Sequence, residues 1–554
     1  MKNSTGVVKK ALEFITYKKK QEEKEFSIPE VNESTDGDQE VSDKKENTKV
    51  PVSREIEDNI GYVQKQFNYP INKDIIIREF KALGKYRAFI VYIDGMVDRI
   101  TINNFILRPL LKAKFSEEEQ KYGIDYMLEN AIETNQTKRV FSYEEVINEI
   151  LMGDTGIYVD GCDYYIFNET KGYDKRGVEA PRVEGAVRAP QEAFNENLRT
   201  NVTLLRRIIK NKNFTTEFMS IGKQNNKQCA MCYINGLINP AIVSEVKRRL
   251  NGIETGEIEN SGMVEQFIED HPMSLIPTIL STERPDKASA NMLEGKVCII
   301  VDGSPFALVA PITIIDLFHT PEDISLKWQY GTLNRIVRIY AIFVATLLPG
   351  LFIAATNFHQ EMIPTEILIA IAKARENVPF PTILEILLME SSFELIREAG
   401  IRIPGVLGST IGIIGAIILG QAAVQADLIS PVVIIIISIT GLGTFAIPDF
   451  SFALGIRIIR LLFIAAGCFL GFYGITLMMI IITIFLMDIK SFGVPFMSIY
   501  VPKVHKNQDK IIRYPVWKQE IRPDQFNPLN VRRQPQISRK WKNEQGGKDN
   551  GKQK

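Results

Sequence analysis

Charge-free apolar runs dominate the last third of the chain. Ile339 to Phe358, Ile403 to Ala426, Leu428 to Pro448 and Leu461 to Met487 contain no Asp, Glu, Lys or Arg, and each is long enough to cross about 30 Å of hydrocarbon. Buried helices of soluble proteins seldom stay apolar on every face for that length. The runs therefore predict an all-α polytopic membrane domain over residues 329–502. Phe450 to Met487 is long for one helix, and Gly467, Gly471 and Gly474 offer a place to break it. Pro381 to Arg402 is amphipathic and fits an interfacial, re-entrant or crossing helix. Four and six spans both remain open.

Ahead of these runs the pattern changes. Between residues 59 and 328, strand-length apolar runs alternate with amphipathic helical runs, which predicts an α/β region. An apolar strand, an Asp94-Gly95 turn and the start of a helix recur about 140 residues later around Asn235-Gly236. The hairpin signal at Asp160-Gly161 recurs likewise at Asp302-Gly303. Two different turns repeated in the same order imply an internal duplication. The fold expected is a two-lobed α/β soluble N-terminal region followed by the membrane domain: a first lobe over 59–190, a connecting helix over 191–210 and a second lobe over 211–328. In the connecting helix Leu198, Val202, Leu205 and Ile209 share one face, with Arg199, Arg206 and Arg207 largely off it.

Composition and charge refine the ends. Residues 1–58 are rich in Lys, Glu, Ser, Asp and Asn, and are expected to form a disordered charged tail. No secretory h-region follows the basic N-terminus, and the five cysteines do not form a small secreted framework, so the N-terminal region is expected in the cytoplasm. Residues 503–554 hold 14 Lys/Arg against 5 Asp/Glu and read as a basic cytoplasmic tail. Arg335 and Arg338 precede the first run, which places both ends inside and makes the number of crossings even. Whole-chain values, zero formal net charge and 45% hydrophobic residues, average these zones away.

Catalytic chemistry has little support. Cys229-Ala-Met-Cys232 is a lone CxxC inside an apparent strand that would point the two thiols to opposite faces, and the four histidines are dispersed. No phosphate-cradling glycine loop is present. We expect no enzyme activity, no cofactor, no metal and no nucleic-acid partner. Two features fit a pore instead. Thr410, Ile417, Gln421 and Val424 recur on one face of a glycine-rich span, where Ile417 and Val424 would form a dewetting constriction; the alternative is a packing helix. Glu390 and Glu394 lie among apolar residues, where carboxylates are costly; they are expected either to attract cations around an axis or to pair locally, as Glu394 with Arg397.

Several stretches carry a family resemblance: Glu179 to Asn201, Thr282-Glu-Arg-Pro-Asp286, Leu293 to Phe306, Pro321-Glu-Asp323, Leu388 to Gly400, Leu419 to Ala426 and Ser491 to Ser498. In this order they resemble the GerA family, the A subunits of nutrient germination receptors of endospore formers. Ala189-Pro-Gln-Glu-Ala-Phe194 and Asp427 depart from the family pattern. The resemblance implies a multi-pass protein of the spore inner membrane, assembled with a transporter-like B subunit and a lipoprotein C subunit. It also implies a homo-oligomer, a pentamer, forming a nutrient-gated channel for monovalent cations. A non-channel scaffold in the same receptor, a secondary transporter and a membrane-tethered enzyme are the competing classes. The lobes would serve as an assembly platform or as a clamp on a small ligand.

Overall fold

The computed structural model describes residues 26, 50–112, 126, 128, 130–134, 136–172, 180–402, 420–498, 509–535 and 538. Most of the N-terminal tail, Thr410 and Ile417 lie outside these. In the first lobe, strands β1 (Ile75–Ala82), β2 (Tyr86–Ile93), β3 (Thr137–Val140), β4 (Thr155–Val159) and β5 (Tyr165–Asn168) form one sheet in the order β1-β2-β4-β5-β3. In the second, β6 (Phe214–Ile221), β7 (Lys227–Ile234), β8 (Leu280–Thr282), β9 (Val297–Val301) and β10 (Ala307–Ala310) follow the same order, β6-β7-β9-β10-β8. Every neighbouring pair is antiparallel. The duplication read from the turns is thus a duplication of topology. Gly95 (φ +86°) and Gly236 (φ +76°) occupy the same left-handed turn position, which a side chain would strain.

Each sheet is covered on both faces, as period-two burial requires. In the first lobe Phe89, Val91 and Ile93 of β2 face helices α1 (Ile56–Gln66) and α2 (Tyr143–Met152). Ala88 and Ile90 face the helical run built of Arg99–Thr101, Ile102–Leu107 and Arg108–Lys112. In the second lobe the helices are α3 (Leu198–Ile208), α4 (Pro240–Asn251), α5 (Ser261–Ile268) and α6 (Pro285–Met292). Cys229 and Cys232 on β7 sit in separate cores on opposite faces. Burial pushes the Cys232 thiol up to about 12 and raises Cys229 as well, which leaves neither as a reactive thiolate.

The connecting helix is shorter than the amphipathic pattern suggests. It begins at Leu198 because the Asn197 side chain accepts from Arg199 N and Thr200 N, while the Asn201 side chain reaches back from the helix, accepting from Asn195 N and donating to Asn195 O. Its apolar face packs into the second lobe's core. Arg206 is not on a solvated face: it is 1% exposed and ion-paired at 2.6 Å with Asp74 of the first lobe. The guanidinium also donates to Phe214 O and Asn211 O. Asn72 bonds the backbone of Phe214 and Thr216, so the lobes are joined by buried polar contacts.

Beyond the lobes come α7 (Trp328–Asn357), α8 (Thr365–Ala374), α9 (Thr382–Arg402), α10 (Pro431–Phe445) and α11 (Phe450–Asp488). Among the described residues, α7 and α11 are long and apolar enough to cross a membrane, and α10 is a shorter apolar helix. Helix α11 is not straight. At Gly471 the backbone leaves the helical region (φ 58°, ψ −141°). The backbone of Gly455, near one end, abuts the Leu275 carbonyl so closely that a methyl group has no room. At the other end Ser491 Oγ donates to Thr278 O at 2.6 Å. Leu275 and Thr278 are at most about 11 Å apart along the chain, whereas a straight helix would separate residues 455 and 491 by about 54 Å. The chain therefore reverses at Gly471, and α11 is two antiparallel helical arms whose open ends both meet the second lobe.

Candidate functional site

The region where the second lobe grips the helical bundle gathers the sequence stretches singled out above. Ser491 to Ser498 forms a small hairpin (Lys490–Ser491 with Val494–Pro495) in which Phe492 and Phe496 are fully buried. Phe492 lies under the Arg249 guanidinium, 4.3 Å from it, and Arg249 is held by Asp270 at 2.6 Å and Glu245 at 2.7 Å. Ile314 N donates to Phe496 O, and Ile312 N to Ser491 Oγ. The segment leaving α11 is thus a plug seated in the lobe core.

The start of α7 is held just as firmly. Thr320 and Asp323 form a capping box at the helix Pro321–Ser325. The fully buried Asp323 carboxylate also receives Arg335 at 3.3 Å and Arg338 at 2.7 Å. Asp509 binds the far side of Arg335. The tail continues along the second lobe, where Arg522 donates to Leu293 O, Leu529 N donates to Leu237 O, and Phe526 is buried against Lys296. Residues 509–535 are therefore a strap on the lobe as well as a basic segment.

A third contact comes from Thr282 to Asp286. Glu283 accepts from Val183 N and Glu184 N, Arg284 donates to Glu184 O and Pro190 O, and Lys287 pairs with Glu184 at 2.6 Å. The loop before α3 is locked onto α6, and the charges of Glu184 and Lys287 bear on Asp449, the cap of α11.

Between the lobes lies a polar cavity of about 600 Å³ lined by Asp94, Asp98, Lys171, Asn197, Arg199 and Arg207 among others. Asp94 binds Arg99 from its own lobe and Arg199 from α3.

Within the bundle, the carboxylates are paired. Glu390 is 6% exposed and meets Arg460 at 2.8 Å. Glu394 meets Arg397 and, at 3.6 Å, Arg457, and keeps 46% of its side chain exposed. Glu385 is fully buried, accepting from Ser430 N at 2.8 Å and lying 3.3 Å from Arg375. Helical residues 420–425 carry Gln421, exposed, and Val424, half-buried; no described contact joins these two to Glu390 or Glu394. The arginine partners on α11 are not evident from local sequence, although Arg457 and Arg460, three residues apart, and Glu390 and Glu394, four apart, each lie about one helical turn from one another.

The family model described as Bacillus/Clostridium GerA spore germination protein matches residues 61–525. The chain belongs to the GerA family. Spore germination protein KA of Bacillus subtilis (strain 168) is 38% identical over 489 residues, covering 88% of this chain and 89% of that protein. Spore germination protein GerLA of Bacillus cereus is 35% identical over 475 residues, covering 85% and 96%. The crystal structure of the N-terminal domain of the A subunit of the Bacillus megaterium spore germinant receptor GerK3 matches with 30% identity and a TM-score of 0.39, covering 48% of this chain and 99% of that one. These two relatives of this GerA-family chain are named as spore germination proteins, and the solved GerK3 domain as part of the A subunit of a spore germinant receptor. The matched region runs from the first lobe through the bundle into the strap, so the lobe–helix junction lies inside it.

Proposed function

We propose that this chain is the A subunit of a nutrient-responsive germination receptor of the spore inner membrane, acting with a transporter-like B subunit and a lipoprotein C subunit. It oligomerises as a pentamer into a gated channel that releases monovalent cations. The observation that supports this most directly is the junction: one lobe holds the start of α7 and both open ends of the folded α11. A shift of that lobe displaces at least three helical segments together. A nutrient changes such an equilibrium only by binding one state more tightly.

Six crossings fit the helix connections. α7 runs away from the lobe, and Thr382 at the start of α9 meets Asn357 at its far end. α10 starts beside Glu385 and ends beside Ala341, nearer the lobe. The two arms of α11 add a pair, and the charge-free run from Ile403 to Ala426 is long enough in sequence for the remaining crossing between α9 and α10. Both termini then lie on the cytoplasmic side, in keeping with the basic residues there. Thr410, Ile417, Gln421 and Val424 line the pore. Glu394, half-exposed, is the carboxylate that meets passing cations, while Glu390 with Arg460 holds α9 against α11. The inter-lobe cavity, polar and of ligand size, supports a second reading of the lobes as a clamp on a small charged molecule.

The test is ion release from dormant spores exposed to candidate nutrients, comparing the native chain with Val424→Ala at matched protein level. Release without nutrient supports the gate. Normal release in Val424→Ala, Gln421→Ala and Thr410→Ala at normal assembly removes this span from the pore and favours a scaffold.

A further inference from the structure

Three arginines converge where the helical bundle meets the second lobe. Arg457 and Arg460 stand one turn apart on α11, and Arg397 reaches them from α9. Glu390 and Glu394 are their carboxylate partners, and the charge of Arg397 also bears on Arg460. The hydrogen-bond inventory is unbalanced. Among the described residues, three buried donor nitrogens have no acceptor, Arg397 Nε and Nη1 and Arg460 Nε; a fourth, Arg457 Nη1, has only Glu394 at 3.6 Å, beyond hydrogen-bond reach; and one oxygen, Glu390 Oε1, lacks a donor. Arg397 and Arg457 side chains are each 12% exposed and Arg460 5%. Buried donors without acceptors are uncommon, and an absent ligand is a standard cause. Three guanidinium groups against two carboxylates leave one positive charge unmatched among the described contacts, which is likewise costly. An oxyanion with several acceptor oxygens matches this donor set, because guanidinium groups bind such groups in forked pairs.

The depth of the cluster identifies the class of oxyanion. Gly455 abuts the second lobe, and Arg457 and Arg460 follow it by about 3 and 8 Å of helix rise. From Leu461 onward no charge appears until Asp488. Arg457 and Arg397 lie about 21 and 22 Å of helix rise from the far ends of their arms at Gly471 and Thr382, with Arg460 deeper at about 16 Å, so on the lobe side their guanidinium groups are within side-chain reach of the phosphates of a leaflet. Beside them the same two helices expose Leu388 and Leu395 on α9, and Leu454, Ile458, Leu461 and Leu462 on α11, at 38–71%. Guanidinium donors at one end and exposed alkyl side chains beside them match a phosphate head and its acyl chains. We propose that Arg397, Arg457 and Arg460 form a phosphate site for an anionic phospholipid of the leaflet facing the lobes, tying α9 to α11 through the headgroup. This inference rests on the membrane placement of the bundle given above.

The experiment reconstitutes the full chain in nanodiscs of phosphatidylcholine alone, with phosphatidylglycerol added, or with inorganic phosphate in the buffer, and follows thermal unfolding. Phosphatidylglycerol is expected to raise the melting temperature by about 3 °C, and Arg457→Gln and Arg397→Gln are each expected to abolish that rise. Lys327→Gln, an exposed cation at the start of α7 and away from the cluster, is expected to keep it. Arg457 carries the longest ion pair of the three, so its replacement should melt like the native chain in phosphatidylcholine; if it does not, native mass spectrometry of bound lipid supplies the readout. Stabilisation by inorganic phosphate alone, lost in Arg457→Gln, would assign the site to a free oxyanion and overturn the lipid assignment. A phosphatidylglycerol effect that survives both arginine substitutions, or no effect in either arm, would overturn the site. Failure of the chain to insert into the discs would instead sink the membrane placement, a result visible before any lipid comparison.

Discussion

The two lobes share one strand order and one set of turns, yet they differ in what lies outside the sheet. In the first lobe both faces are closed by the lobe's own helices, and its two cores stay within residues 52–167. In the second, one face opens into the helical bundle: its core is continuous from Leu205 and Ile300 through Phe452, Ile459 and Phe463 to Ile475. The other face receives Phe492. Duplication supplied two equivalent sheets, and only one of them became part of the helical apparatus. The first lobe then touches the helices through the second, by way of Asp74, Arg206 and Asn72.

That contrast can be broken at several points. The largest effect is expected at Arg206→Ala, which strands the buried Asp74 carboxylate between the lobes and should cost about 3–5 kcal/mol, read as a lower melting temperature of the full chain. Next come Phe89→Ala and Phe492→Ala, equally buried and each expected to cost about 3–5 kcal/mol. They should separate in function: at matched abundance, Phe89→Ala retains nutrient-triggered ion release while Phe492→Ala loses it. Equal loss in both would dissolve the distinction between the lobes. Gly471→Ala forces a side chain into a left-handed conformation against Phe358 and His359, for about 1–3 kcal/mol; the expected readout is lower melting with unaltered lobe structure by circular dichroism.

A smaller effect follows from α5. Burial, with neighbouring negative charges, pushes the Glu265 and Glu269 carboxyls up to about 7. Their unfolded values lie near 4.3, so between about pH 4.3 and 7 the folded chain binds more protons than the unfolded one. Stability should therefore fall as pH rises through that window and level off above it. Glu265→Gln should flatten the slope, and an unchanged slope would show that other groups cause it. The smallest change is expected at Arg54→Ala, whose pair with Asp163 is exposed on both sides; melting should shift by no more than about 0.5 kcal/mol equivalent.

Much of this molecule was legible along the chain because the signals are local. The α/β region, the repeated turns, the apolar runs and the glycine break in the last of them depend on periodicity and on backbone freedom within a few residues. The family stretches were equally visible. Tertiary structure alone decided the partners. That Arg206 is buried and α3 belongs to the second lobe, that Asp323 collects Arg335 and Arg338, and that Glu390 faces Arg460 all depend on residues distant in sequence. The strap shows the same limit: Phe526 is one aromatic in a basic tail until the Lys296 side chain lies against it. Charge pairing and plug seating are properties of how surfaces meet in space, and hydrophobic periodicity reports only which face is buried, not what it is buried against.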